Sequence, residues 1–114
     1  MESILTTIKK LLGIAEEYEH FDIDIITHIN SVFMILNQIG VGPSECFRIE
    51  DETSTWNEFI PEDNPNFEGV KSYIHLRVKL LFDPPASSVV VEAYNRMINE
   101  LETRLNYAAE SKKS

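Results

Sequence analysis

The feature that most constrains this chain is a double proline between two helical patterns, in the segment KLLFDPPASSVVVEAY at residues 79–94. Pro84 and Pro85 cannot continue a helix, because proline lacks a backbone N–H and its ring clashes with the preceding turn. Pro84 also disfavours helical geometry in Asp83, so the first helix should end there. The segment therefore predicts two helices joined by a short, rigid corner.

The helix before the corner is expected over residues 66–82. Its apolar side chains cover well over half of the helical circumference, which is more than one side of a small core can bury. They are Phe67, Val70, Tyr73, Ile74, Leu76, Val78, Leu80 and Leu81. Arg77 lies in the middle of this apolar arc, where an unpaired guanidinium is unstable. We expect Arg77 either to extend to solvent along its stem or to meet a carboxylate of its own chain or of a neighbouring one.

The helix after the corner is expected to begin at Ser87 or Ser88 and to run to about Ala109. It carries an apolar stripe of Val90, Tyr94, Met97, Ile98, Leu101, Leu105 and Ala108. Opposite charges spaced i,i+4 lie outside the stripe, in the pairs Glu92/Arg96 and Glu100/Arg104. The two helices should form an antiparallel or strongly bent pair. Residues 110–114 are polar, and we expect them to be a disordered tail.

Two more helices are predicted in the N-terminal half. Apolar residues at helical spacing before Gly13 predict a short first helix of about two turns. A second helix should begin with Asp22 as N-cap and end near Gly40. Its broad apolar face consists of Ile25, Ile26, Ile29, Val32, Phe33, Leu36 and Ile39. Ile23 and Met34 lie on the opposite side of this helix.

The central segment, residues 41–65, is predicted to be irregular, because Gly42-Pro43, Pro61 and Pro65 interrupt it. Residues 46–49 fit either a short strand or an extended loop. Thr55 and Glu58 have the spacing of a capping box, which predicts a brief helical turn before Pro61.

The central segment also concentrates negative charge, with Glu50, Asp51 and Glu52 in succession. This run lacks the alternating ligands and the central glycine of a calcium loop, so a solvated acidic loop is expected. Trp56 and Phe59 in the same segment allow two interpretations. They form either an exposed anchor for a partner or a plug on the domain's own core.

The composition fits one small globular domain. The 114 residues are 43% hydrophobic and 25% charged, and together with the patterns above they indicate a mainly α bundle of about four helices with an irregular acidic central loop. The net charge of −9 opposes binding to nucleic-acid phosphates. No apolar run reaches the roughly 20 residues of a membrane span, so we expect a soluble protein without membrane contact. The single cysteine cannot form an intramolecular disulfide, so we expect a cytoplasmic protein.

Motifs for chemistry are missing from the sequence. The histidines His20, His28 and His75 are not spaced as metal ligands, and no glycine-rich phosphate loop is present. Cys46, the single cysteine, has no paired base in the sequence and is expected to be a buried or half-buried thiol. We therefore expect no catalytic, cofactor or metal residues, and a protein that is not an enzyme.

The surplus apolar surface of the third helix suggests that another chain completes part of the core. The predicted subunit or portal interface consists of Tyr73, Arg77, Leu80, Ile23, Met34, Trp56 and Phe59. The alternative is a monomer in which the first helix and the central loop cover that surface.

The C-terminal half resembles a known family. The runs VKSYIHLRVKLLFDPPASS at residues 70–88 and VEAYNRMINELETRLNYAAE at residues 91–110 are similar to a pattern in small head-tail connector proteins of tailed bacteriophages and prophages. The segment ETSTWNEF at residues 52–59 resembles the stretch that precedes this pattern in the same proteins. The resemblance covers about half of the chain.

The resemblance implies a helical adaptor that forms a ring of about twelve copies under the portal of the capsid. Its partners would be further copies of itself, the portal protein and a tail-side neck protein, and DNA would pass through the ring without specific binding. It would be found in the virion neck, and in the host cytoplasm during assembly. Asp83, Pro84 and Pro85 would set the angle between faces that contact two neighbours, and Arg77 would be an intersubunit ion-pair partner.

A different class of function also fits the sequence. A small acidic regulatory protein could bind and block a basic host or phage protein, for example by imitating the charge of DNA. Such a protein would be a monomer or a dimer with one tight basic partner, whereas an adaptor would form higher oligomers or assemble on a portal.

Overall fold

The fold consists of five α-helices in a computed structural model that describes residues 2–113, with side chains described for residues 2–110. The helices are α1 (Ile4–Leu11), α2 (Asp22–Gln38), α3 (Trp56–Phe59), α4 (Phe67–Phe82) and α5 (Ser88–Lys113). The expected mainly α bundle is confirmed. Its four longer helices are those that the sequence predicts, and α3 is the brief turn that follows Thr55.

Helix α4 lies at the centre, because α1, α2 and α5 all pack against it. Helices α4 and α5 are antiparallel: Gly69 near the start of α4 lies beside Leu101 and Leu105 of α5, and Tyr73 one turn later binds Glu102. The fully buried centre of the core contains residues from α1, α2, α3 and α4. It includes Ile4, Ile8, Ile25, Ile29, Val32, Phe33, Leu36, Trp56, Val70, Tyr73, Ile74 and Val78.

The start of α2 differs by one position from the prediction. Asp22 is the first helical residue, and the N-cap position belongs to Phe21, whose side chain makes no capping hydrogen bond. The Asp22 carboxylate instead pairs with Lys9 of α1, with Oδ1 at 2.8 Å from Nζ. The Asp22 carboxylate therefore forms an ion pair with a neighbouring helix and does not cap α2.

The corner at residues 83–87 forms as predicted, since α4 ends at Phe82 with Asp83 as its C-cap. Lys79 pairs with Asp83 at 2.8 Å across the last turn of α4. The Phe82 ring packs edge-on against Phe21 with 5.2 Å between the ring centroids. The end of α4, just before the double proline, is therefore packed against the start of α2.

The central segment is irregular but firmly attached. Within residues 2–113 no β-strand forms, so the short strand considered for residues 46–49 is wrong. The Asn30 side chain takes the place of a partner strand: its amide donates to the Ile49 carbonyl at 2.9 Å and accepts from the Ile49 N–H at 2.8 Å. The Thr55–Glu58 capping box is confirmed.

Three further expectations are corrected. Helix α5 continues to Lys113 and does not end at about Ala109; Ser114 lies outside the described residues. Cys46, in the irregular central segment, is exposed instead of buried or half-buried. Among side chains 2–110, Glu100 pairs with Arg104 at 2.6 Å, but Glu92 and Arg96 form no ion pair.

Gly42 allows a test of how tightly the central segment packs. Its φ is +91°, and a Cβ at this position would overlap the Phe59 ring, whereas Gly13, with a φ of +82°, has open space there. We expect Gly42→Ala to lower the free energy of unfolding by about 2–4 kcal/mol, and Gly13→Ala by about 1–2 kcal/mol from the backbone alone. Urea unfolding followed by the fluorescence of the single, buried Trp56 measures both. Equal losses would show that Phe59 does not fill that space.

Candidate functional site

Arg77 is held by a three-residue network between α4 and α5. Its Nη2 donates to Glu102 Oε2 at 2.9 Å, and its Nε donates to the Tyr73 hydroxyl oxygen at 2.7 Å. The Tyr73 hydroxyl in turn donates to the same Glu102 oxygen at 2.7 Å. Tyr73 and Arg77 lie one turn apart on α4, so a single α5 carboxylate reaches both.

The network fixes the charges of its members. Burial, followed by the hydrogen bond to Glu102, raises the pKa of Tyr73 to about 12. The hydrogen bond from Tyr73, followed by the bonds and charge of Arg77, lowers the pKa of Glu102 below its ordinary value. At neutral pH the network therefore contains a guanidinium, a carboxylate and a neutral phenol.

Of the possibilities open for Arg77, the structure shows a carboxylate of its own chain. Arg77 is neutralised within the chain by Glu102, and it is not an unpaired charge that needs a neighbouring subunit. Tyr73 is fully buried and presents no surface to a partner. Tyr73 therefore has no surface for the predicted interface, whereas a contact of Arg77, which is 31% exposed, with a neighbouring subunit stays a prediction. Leu80 is half-buried against the core.

Trp56 and Phe59 form part of the chain's own core. The Trp56 indole N–H donates to Thr7 Oγ1 at 3.0 Å, and its ring packs edge-on against Phe67. The centroids of the Phe59 and Phe33 rings are 4.6 Å apart. The plug interpretation is therefore correct, and the exposed-anchor interpretation is wrong. Helix α1 and the central segment cover the side of α4 that seemed to require another chain.

Ile23 and Met34 do lie on the outside of α2, where they are 81% and 56% exposed. They fall on one line along the helix, three turns apart, with Thr27 and Ser31 between them. The Thr27 hydroxyl donates to the Ile23 carbonyl at 2.9 Å, and the Ser31 hydroxyl to the Thr27 carbonyl at 3.1 Å. These hydroxyls donate to backbone carbonyls of their own helix. The surface formed by Ile23, Thr27, Ser31 and Met34, called the α2 strip, is therefore less polar than its residue types suggest.

A second exposed apolar surface surrounds the corner, and the sequence reasoning missed it. Val89 at the start of α5 is 70% exposed, and Leu81 at the end of α4 is 55% exposed. This corner patch consists of Leu81, Pro84, Ala86, Val89 and Val90. The signal was available: three successive valines at residues 89–91 follow the double proline, and a helix can bury only one side of such a run.

Two clefts of opposite character open on the surface. The neutral cleft, of about 250 Å³, lies between the end of α2, the segment after α3 and the last turns of α5, and no charged residue lines it. The acidic cleft, of about 310 Å³, is lined by Glu16, Glu17, Glu19, Asp22 and Glu52 around Lys9. Glu50, Asp51 and Glu52 are all exposed, and hydrogen bonds from Thr53 lower the pKa of Asp51.

Lys9 is a buried charged residue that the sequence reasoning missed. It is only 2% exposed, and its ammonium donates to the carbonyls of Glu16 and Tyr18 at 2.9 and 2.7 Å and pairs with Asp22. These contacts hold the loop between α1 and α2. Its burial could have been predicted, because Lys9 follows Leu5 by four residues and so lies on the same, buried face of α1.

A family model described as phage connector protein matches residues 4–112 of the chain. The chain belongs to the phage connector protein family. The match includes all of α1 to α4 and nearly all of α5, and so extends well beyond the resemblance in the C-terminal half. Neither a curated protein nor a solved structure gave a match.

Membership gives the connector a structural role in the phage particle, where it interacts with other virion proteins. Within residues 2–113 no helix of the connector is long and apolar enough to cross a membrane. In the same part of the chain, no group of three or more histidine, cysteine, aspartate or glutamate residues could hold a metal ion.

The internal network predicts where substitution of Arg77 acts. We expect Arg77→Ala and Glu102→Ala each to lower the free energy of unfolding of the isolated connector by about 1–3 kcal/mol, with a double variant less destabilised than the sum. Arg104→Ala, which breaks the exposed pair with Glu100, is the matched control and should cost less than about 0.5 kcal/mol. A double variant whose loss in free energy of unfolding equals the sum of the two single losses would contradict the network.

The same network predicts that the free energy of unfolding is highest at intermediate pH and falls at both acid and alkaline pH. The folded pKa of Glu102 lies below its ordinary 4.5, so its contribution is present above that pH and is lost as the pH falls through the folded value. The folded pKa of Tyr73, about 12, lies above its ordinary 10.0, so stability falls as the pH rises between them. Denaturation across pH should show Glu102→Gln flattening the acid slope and Tyr73→Phe the alkaline slope. Unchanged slopes in both variants would contradict the assignment.

Proposed function

We propose that this connector forms a ring under the portal of a tailed phage, where it joins the capsid to the tail and lets DNA pass. Its partners are copies of itself, the portal protein and a tail-side neck protein. Its place is the virion neck, and the host cytoplasm during assembly. The observation that carries the proposal is the connector-family match over residues 4–112.

Exposed apolar surface on a closed fold supports self-association. With Trp56, Tyr73 and Arg77 satisfied inside the chain, several of the apolar side chains that remain exposed lie on helices and at the proline corner. The α2 strip and the corner patch are both of this kind. Rigid exposed apolar surface lowers the entropic cost of association and gains free energy when water leaves it.

The charge of the connector supports passage of DNA without binding. A net charge of −9, with Glu50, Asp51 and Glu52 exposed in the central segment, repels phosphates. A wall that held DNA would slow its exit from the capsid. The family match favours this structural role over the alternative of an acidic inhibitor of a basic protein.

Mass measurement by light scattering, with and without portal protein, tests the proposal. We expect a ring-sized particle or a defined complex with the portal. The variant Ile23→Asp/Met34→Asp should keep the wild-type melting temperature within a few degrees and lose assembly or portal binding, because it places charge on the α2 strip. Asn95→Asp, an exposed change on α5, is the control and should assemble normally. A wild-type chain that stays monomeric and ignores the portal would overturn the proposal.

A further inference from the structure

Two uncharged features of the surface, the corner patch and the neutral cleft, lie at opposite ends of α5. The corner patch surrounds the start of α5, and the neutral cleft is lined near its other end by Leu105, Ala108 and Ala109. Val89 and Ala108 are 19 residues apart, or about 28 Å along the helix axis. The patch of one molecule therefore cannot fill the cleft of the same molecule.

Charge restricts which surfaces of two copies can meet. Each copy has a net charge of −9, so close contact between two copies is favourable only where carboxylates are few. The acidic cleft has five carboxylates among its lining residues and cannot accept a second acidic copy without repulsion. The neutral cleft has none, and Asp83, the only acidic residue of the corner, is paired with Lys79.

The size and lining of the neutral cleft suit apolar side chains. The neutral cleft, at about 250 Å³, is smaller than the roughly 300–1,000 Å³ of typical small-molecule sites, so it suits a few aliphatic side chains better than a cofactor. Val41, Ile60 and Pro61 provide apolar walls, and Asn64 and Asn66 provide polar side chains at the cleft. The corner patch presents Val89 and Leu81 next to two prolines, which hold the backbone in place before docking.

We propose that the corner patch of one connector molecule docks into the neutral cleft of the next copy. The contact uses two different surfaces of the same chain, so it is heterologous and repeats from copy to copy, which closes a ring when the rotation per copy permits. This inference rests on the proposed function, because it specifies how the proposed ring is joined. It assigns the corner a direct contact in addition to its role in setting the angle between helices.

Cysteine cross-linking tests the contact, because Cys46 is the single cysteine and is removed by Cys46→Ser. In that background, Val89→Cys combined with Ala108→Cys should give a ladder of cross-linked multimers with a short bismaleimide. Either substitution alone should give no ladder and no dimer, and a mixture of the two single variants should give dimers only. Val89 is largely exposed, so Val89→Asp should fold normally and weaken assembly at least about tenfold.

The remaining outcomes separate this inference from the proposed function. Rings of normal mass whose double-cysteine variant gives no ladder would overturn the docking contact and leave the ring intact. Dimers from Val89→Cys alone would show a two-fold contact and overturn it too. A cross-link from Ala108→Cys to the portal protein, without a ladder, would make the portal the occupant of the cleft. A chain that forms no particle with or without portal would overturn both.

Discussion

The fold depends on α4 burying most of its circumference, and Arg77 on the apolar side of α4 is accommodated by an ion pair. A guanidinium in the middle of an apolar arc is stable there only with a partner, and Glu102 of α5 provides it at 2.9 Å. The contact therefore fixes the antiparallel register of α4 and α5 while α1, α2 and the central segment cover the other sides of α4. The resulting core is closed within one chain, and Lys9 similarly fixes the loop between α1 and α2.

This arrangement changes which surfaces can serve assembly. Tyr73, Trp56 and Phe59 belong to the internal core, and Arg77 pairs with Glu102 of its own chain. The α2 strip and the corner patch are two of the apolar surfaces that stay exposed. The role of the corner follows from the same fact. Because the double proline lies between α4 and α5 and has little backbone freedom, apolar side chains remain exposed in fixed positions, which suits the repeating contact that we propose.

Helix boundaries could be predicted because their signals are local: the double proline, the Gly13 and Gly40 stops and the Thr55–Glu58 capping box each act within a few residues. The sequence left open whether the chain itself or another copy covers α4, because Trp56 and Phe59 reach the core through an irregular loop whose path has no periodicity. Lys9 and Glu102 were missed for a related reason. A charged residue on a buried face shows in the sequence, but its partner comes from another element.

The most direct test of a core closed within one chain is the concentration dependence of unfolding. If α4 is covered by its own chain, the urea midpoint of the isolated connector stays constant as the protein concentration rises a hundredfold within the range where it is monomeric. If copies complete the core, folding is linked to association, and the midpoint rises steadily with concentration. That second result would contradict the account, because it would return the surplus surface of α4 to a subunit interface.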